Sequence, residues 1–256
     1  MIESARSKVL DQVLRREQEF HDALSANLAG QILPPRTPDE FENILLGRAG
    51  NIAGLSVLEL GCGVGDLTLQ LLSRGAHVTA LDLSDGMVAV TRRRVERFAP
   101  GPVELVVAPV EHSGLDSASF DLVIGKWILH HADLGLAATE IRRLLKTGRR
   151  AIFLENSGLN PLLAFSRRFL AGRWGIPRYG TDDEHPLTRH DLELLRQRFA
   201  RLAVDYPDLF FFQLFDRQVL RYRHQRTGKL LRGIDLALAR TPLRRYSYHV
   251  ILEMGS

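Results

Sequence analysis

Short, largely apolar runs recur along the middle of the chain at Val57–Leu60, Val78–Leu81, Val103–Val107, Leu122–Ile124 and Ala151–Leu154. Their length and β-branched content predict buried strands. Between most of them the apolar spacing becomes helical, as in Asp66–Arg74, which Gly75 closes, and Ser84–Phe98. A less regular stretch with a helix near Ala137–Leu145 links the fourth run to the fifth. Strand–helix alternation with apolar strands predicts a parallel sheet covered on both faces.

The flanks read differently. Val9, Leu10, Val13, Leu14, Phe20 and Leu24 recur at helical spacing, so residues 1–50 are expected to be helical and to precede the first strand. After Pro34–Pro35, the run "TPDE" predicts an N-cap at Thr37, Pro38 at the first helical position and Glu40 closing a capping box. Beyond Glu155 a Pro/Gly-punctuated segment, Asn156–Leu187, leads to a helix over Thr188–Phe199, with Asp191 three residues after its cap. Strands are predicted at Leu202–Asp205 and Leu209–Phe215, then a basic helical stretch over Asp216–Ala239. "YSYHVILEM" alternates as a final strand. There is no internal repeat.

With 256 residues, 45% hydrophobic and 25% charged, the chain can form one decorated α/β domain or two small ones. No apolar run approaches the length of a membrane span and Met1–Gln18 is charged throughout, so neither an anchor nor a signal peptide is expected. Cys62 is the only cysteine, which excludes intramolecular disulfides and implies a reducing cytoplasm. The net charge of +4 is carried mainly by arginine in pairs and triplets such as Arg92–Arg94 and Arg149–Arg150. These are expected to form a solvated surface, not a nucleic-acid footprint.

Gly61, Gly63 and Gly65 follow the first strand, where an open parallel sheet places its ligand crevice. A pyrophosphate-binding turn spaces its glycines G-x-G-x-x-G; here the third comes one residue early. Glu59 and Asp66 bracket the turn, and carboxylates would repel a pyrophosphate but attract a sulfonium and an ammonium. Asp82 ends the second strand, where a carboxylate serves ribose hydroxyls of either kind of cofactor.

"VLELGCGVGDLTL", "VTALDLSDGMV" and "FDLVIGKWILHHADLGLAATEIRRLLKTGRRAIFLEN" resemble successive motifs of the class I S-adenosylmethionine-dependent methyltransferases. They are most similar to the small-molecule branch that includes the quinone methyltransferases, and "EQEFHDALS" is similar to its N-terminal helix. The resemblance implies a Rossmann-like, doubly wound seven-stranded sheet with the last strand antiparallel. It also implies a helical lid over residues 1–50, a methyltransferase domain over 51–256, and substrate-covering insertions at 157–187 and 216–245. By position, Glu59, Gly61, Cys62, Gly63 and Gly65 would surround the methionine portion of S-adenosyl-L-methionine. Asp82 would hold the ribose, Leu83 and Met87 would lie near the adenine, and Gly125 would offer its carbonyl to the amino group. Where the family often has an acid for the adenine amine, Pro109 stands here. Backbone groups at Val110, or the Glu111 carboxylate, are the expected substitutes.

Methyl transfer from a sulfonium needs positioning and desolvation, and a base only when the acceptor holds its proton tightly. Candidate bases are His131, His130, Glu155 and His21, with Asp22, Asn156 and His185 behind them; a purely conformational role competes for each. Trp127 and Tyr179 are candidates to stack on a planar acceptor. The expected acceptor is a small molecule, anionic or lipid-like. The basic stretch carrying Arg221, Arg223 and Arg226 reads either as a helical cover with a solvated basic face or as a substrate lid whose cations meet that acceptor or a membrane surface. No metal site is expected. RNA or protein methylation and a non-catalytic cofactor-binding role are the competing readings. Against base methylation, "GKWI" stands where many base-amine enzymes carry an amide-proline-proline-aromatic signature.

Overall fold

The computed structural model of the chain describes residues 2–28, 30–99, 101–161, 186–207, 211–216 and 225–256. Seven strands form one sheet: β1 (Ser56–Leu60), β2 (His77–Asp82), β3 (Val103–Val107), β4 (Phe120–Lys126), β5 (Leu145–Asn156), β6 (Arg201–Asp205) and β7 (His249–Gly255). Their order is β3-β2-β1-β4-β5-β7-β6. β1 to β5 run parallel, and β7 runs antiparallel to both β5 and β6. The strand order reverses between β1 and β4, so a crevice opens there at the carboxyl ends of the strands.

The helices among the described residues are α1 (Ile2–Ala26), α2 (Glu40–Ala49), α3 (Asp66–Ser73), α4 (Asp85–Phe98), α5 (Leu134–Leu144), α6 (Arg189–Arg198), α7 (Phe211–Phe215) and α8 (Gln225–Leu238). Short 3-10 turns lie at Leu129–His131 and Pro242–Tyr246. Two apolar clusters fill the faces of the sheet. One packs Ile141 of α5 and Leu192 and Leu195 of α6 against Leu58, Val123 and Phe153. The other packs Leu45 of α2, Leu71 of α3 and Val88 of α4 against Val57, Ile124 and Ile152.

The Thr188–Asp191 capping box forms as its spacing predicts. Three other expectations change. First, α2 is capped by Asp39 with Glu42 closing the box, two residues later than predicted. That placement brings the buried Glu42 carboxylate to Arg36 and Lys126. Second, Phe211–Phe215 is helical where a strand was expected over Leu209–Phe215. The buried Asp235 carboxylate of α8 accepts the N–H groups of Phe212 and Gln213 at 3.0 and 2.9 Å and so caps the turn.

The third change concerns α1. Val9, Phe20 and Leu24 are 60%, 38% and 42% exposed, and among the described side chains of α1 none belongs to either apolar cluster. Among the described side chains of α1, Glu17 and Ser25 are buried, and they share a helical face with His21 and Asp22. Asp22 accepts hydrogen bonds from the Ser84 hydroxyl and from the Gly86 N–H. Ser25 lies so close that a Cβ on Gly86 would fall 2.0 Å from its Oγ. The helix thus docks on the start of α4 through polar groups, while Leu14 on the same helix lines the crevice. Tyr179 and His185, together with Arg221 and Arg223 of the basic stretch and most of 162–187, lie outside the described residues.

Candidate functional site

The turn between β1 and α3 is latched to the end of β2. Gly61 and Cys62 donate to the Leu81 carbonyl at 2.8 and 3.0 Å, and Gly63 donates to Asp82 Oδ2 at 2.8 Å. The other oxygen of Asp82 accepts the Ser84 N–H at 2.9 Å. Gly63 has φ +52°, and a Cβ there would meet nothing within 4 Å. Any side chain there would be strained by the left-handed backbone, so the turn favours glycine whatever the space around it.

Two adjoining cavities meet at Gly61 and Gly63. One of about 110 Å³ is lined by Asp82, Leu83, Pro109, Val110, Glu111 and His131 among others. The second, of about 170 Å³, is lined by Glu42, Glu59, Cys62, Asp66 and Lys126. A larger hollow of about 540 Å³ lies at the opposite ends of the strands. There Arg149 is paired with Asp121 and Arg150 with Glu253, and the crevice of a parallel sheet is at the other end.

The charges around the turn differ from their appearance in sequence. Asp66 is paired with Arg94 at 2.8 Å and Arg36 at 2.7 Å, so it is no bare anion. Glu59 is buried and accepts the Thr68 hydroxyl at 2.6 Å, and among the described residues no cation is bonded to it. Burial pushes its carboxyl up to about 8, so it is mostly neutral at pH 7. For Glu42 burial is outweighed by the hydrogen bonds from Arg36 and Lys126, and its carboxyl lies below the usual range. Burial also pushes the Cys62 thiol well up, which removes it as a nucleophile at neutral pH.

Arg94 corrects the surface reading of the arginine triplet. It is 1% exposed and donates to the carbonyls of Leu33, Pro34 and Val64 and to Asp66 Oδ1. One side chain on α4 therefore ties the segment after α1 to the glycine turn. Arg36, Arg94 and Glu17 were not singled out by sequence. For Glu17 a signal existed in the i, i+4 spacing to His21; for the arginines there was none, because burial of one member of a triplet leaves no mark on composition.

On the facing side, Glu155 is fully buried at the end of β5. Its Oε1 accepts the N–H groups of Ile128 and Leu129 at 2.9 and 2.8 Å, and its Oε2 lies 2.7 Å from His130 Nδ1. Glu155 and His130 are thus joined behind the loop that follows β4. His131 lines the crevice, with Nδ1 3.0 Å from Glu17 Oε2, and His21 Nε2 lies 3.8 Å from that same oxygen. Trp127, also on the crevice wall, has φ +57°. A bulky side chain in the left-handed region is strained, and such strain collects at functional sites.

Of the remaining predicted residues, Glu111 accepts the Asp133 N–H at 2.8 Å, and burial raises its carboxyl. Met87 is buried, its N–H held by the Ser84 hydroxyl. Gly125 leaves no room for a side chain, since a Cβ would fall 2.7 Å from Phe153. The structure therefore gathers the glycine turn, Asp82, Leu83, Val110, Glu111, His131 and His21 around one crevice.

Comparison with known proteins agrees with that geometry. Residues 58–153 match the family model described as "Methyltransferase domain". Among curated proteins, the chain is 28% identical over 148 residues to demethylmenaquinone methyltransferase of Lactococcus lactis, covering 56% of this chain and 59% of that protein. It is 30% identical over 120 residues to the S-adenosyl-L-methionine-dependent Diels-Alderase iliD of a Neonectria species, covering 47% and 46%. The chain thus spans about half the length of these relatives. Among solved structures, it superposes on Haemonchus contortus phosphoethanolamine N-methyltransferase 2, in complex with phosphomonomethylethanolamine and S-adenosylhomocysteine. The TM-score there is 0.61 at 17% identity, over 95% of this chain and 59% of the other. No described helix is long and apolar enough to cross a membrane.

Proposed function

From the match of residues 58–153 to a methyltransferase domain, we propose that this chain is a class I S-adenosylmethionine-dependent methyltransferase that methylates an oxygen, nitrogen or carbon of a small-molecule acceptor. The observation that carries the reading is the latch of the glycine turn onto Asp82 at the wall of one cavity.

When bound, the cofactor supplies an electrophilic methyl group on a sulfonium. Asp82 would hold its ribose hydroxyls: each oxygen is engaged by one backbone N–H, and each keeps a further lone pair. Glu59, Gly61, Cys62, Gly63 and Gly65 would surround the methionine portion, with the Gly125 carbonyl toward its amino group. Leu83, Met87, Val110 and Glu111 would line the adenine end. Glu59 suits an ammonium partner, because a neutral buried carboxyl gains a counter-ion by giving up its proton.

His131 is the proposed base. Glu17 Oε2 holds the proton on Nδ1, which leaves Nε2 free of a proton and able to accept one from an acceptor hydroxyl or ammonium. His130 and Glu155 would act by fixing the loop that presents His131. Helix α1 would close the crevice and exclude water. The acceptor is proposed to be anionic or lipid-like, in a cytoplasmic setting.

A second reading is favoured by the Diels-Alderase relative: a cofactor held in place while the acceptor reacts without being methylated. Incubation with methyl-labelled cofactor and a panel of quinone, phosphate-ester and carboxylate acceptors separates the two. Label in the acceptor with stoichiometric S-adenosylhomocysteine supports methyl transfer. Acceptor turnover without S-adenosylhomocysteine refutes it.

A further inference from the structure

Glu17, His21 and His131 bring one carboxylate oxygen and two imidazole nitrogens within 4.8 Å of one another at the mouth of the crevice. We infer that these three residues form a binding site for a divalent transition-metal ion, zinc being the natural case, which staples α1 to the loop after β4. The sequence alone raises no such expectation, because the third ligand lies more than a hundred residues from the other two.

The distances suit an ion of that class. Ligand bonds of about 2.0–2.1 Å in a tetrahedral site put neighbouring ligand atoms about 3.3 Å apart. Glu17 Oε2 lies 3.0 Å from His131 Nδ1 and 3.8 Å from His21 Nε2, on either side of that value. Small side-chain rotations would therefore suffice. Glu17 and His21 are one helical turn apart and present their donors on one face, as paired ligands on a helix do. The buried Glu17 carboxylate supplies the charge, and two imidazoles select a borderline cation over magnesium or calcium, which require oxygen. Three protein ligands leave a fourth position for water.

Binding has a structural consequence that does not depend on methyl transfer. An ion held by residues of both elements fixes the lid shut. A second consequence rests on the reading above: metal on His131 Nδ1 requires the ring proton on Nε2, so the proposed base cannot accept another. The site would then be inhibitory.

Metal-free full-length protein titrated with zinc chloride in a calorimeter should take up one ion per chain, and magnesium chloride should give no heat. His131→Ala, His21→Ala and Glu17→Gln should each weaken zinc binding by at least about 100-fold, whereas His77→Ala and His190→Ala, at exposed sites elsewhere, should not. Circular dichroism checks that each variant is folded; His21 is only half-buried, so its variant suffices if Glu17→Gln does not fold. Zinc should also slow hydrogen exchange in residues 10–26 of the wild type but not of His131→Ala, which separates a staple from binding to the helix alone. Absence of stoichiometric binding, or wild-type affinity in His131→Ala and His21→Ala, overturns the site, whatever the protein's methyltransferase activity proves to be.

Discussion

Replacing Arg94 with methionine is expected to lower the unfolding free energy by about 3–5 kcal/mol, the range for removing one partner of a buried ion pair. Methionine keeps much of the apolar stem, so the loss falls on the guanidinium. Its departure leaves the carbonyls of Leu33, Pro34 and Val64 without their donor, and Asp66 with Arg36 as its remaining cation. Lysine should not rescue, because three donors on a point charge cannot replace a planar fork that reaches four acceptors. Urea denaturation with an unchanged slope is the check, and a loss below about 1 kcal/mol would contradict the structural role. Two of the acceptors flank or lie in the glycine turn, so cofactor affinity should fall together with stability.

Removal of residues 1–30 is expected to lower turnover by on the order of 100-fold or more while the remaining domain stays folded. The size follows from what the lid would do: fix the geometry of the reacting groups, and exclude water. It also carries Glu17, which sets the tautomer of His131. Stability should be little affected because the described side chains of α1 belong to neither apolar cluster. Folding of the truncated chain by circular dichroism, together with its turnover number, gives the test. Full activity would refute the lid, and loss of the folded domain would show that α1 is part of the fold.

The sheet was legible because its evidence is local. Runs such as Val57–Leu60 and Ala151–Leu154 are apolar along their length, as strands covered on both faces must be, and the glycine turn stands out by spacing alone. What could not be read depends on partners distant in sequence. Phe211–Phe215 is rich in strand-favouring aromatics, yet Asp235, some twenty residues on, caps it as a helical turn. The apolar stripe on α1 marked a helix but not its contacts: Glu17 and Ser25 are buried while Val9, Phe20 and Leu24 are exposed, because the partners that bury the polar pair lie far along the chain. Asp66 looked like an anion that would select a cationic ligand, until Arg36 and Arg94 were seen to neutralise it. Glu59 is then the carboxyl beside the turn that a cationic ligand would meet, neutral below about pH 8 and anionic above it.

Calorimetric titration of the full-length protein with S-adenosylmethionine and, separately, with NAD should show one S-adenosylmethionine site per chain and no heat from NAD. Glu59 is raised to about 8 and is therefore protonated below that pH. An ammonium ligand favours its ionised form, so binding should release a proton and tighten as pH rises from 6, by up to about tenfold per unit. The gain should end near pH 8, where a free amino group itself begins to lose its proton. Asp82→Ala should cost about 1.5–3 kcal/mol of affinity for each charge-assisted hydrogen bond lost. Binding of NAD without binding of S-adenosylmethionine would contradict the account.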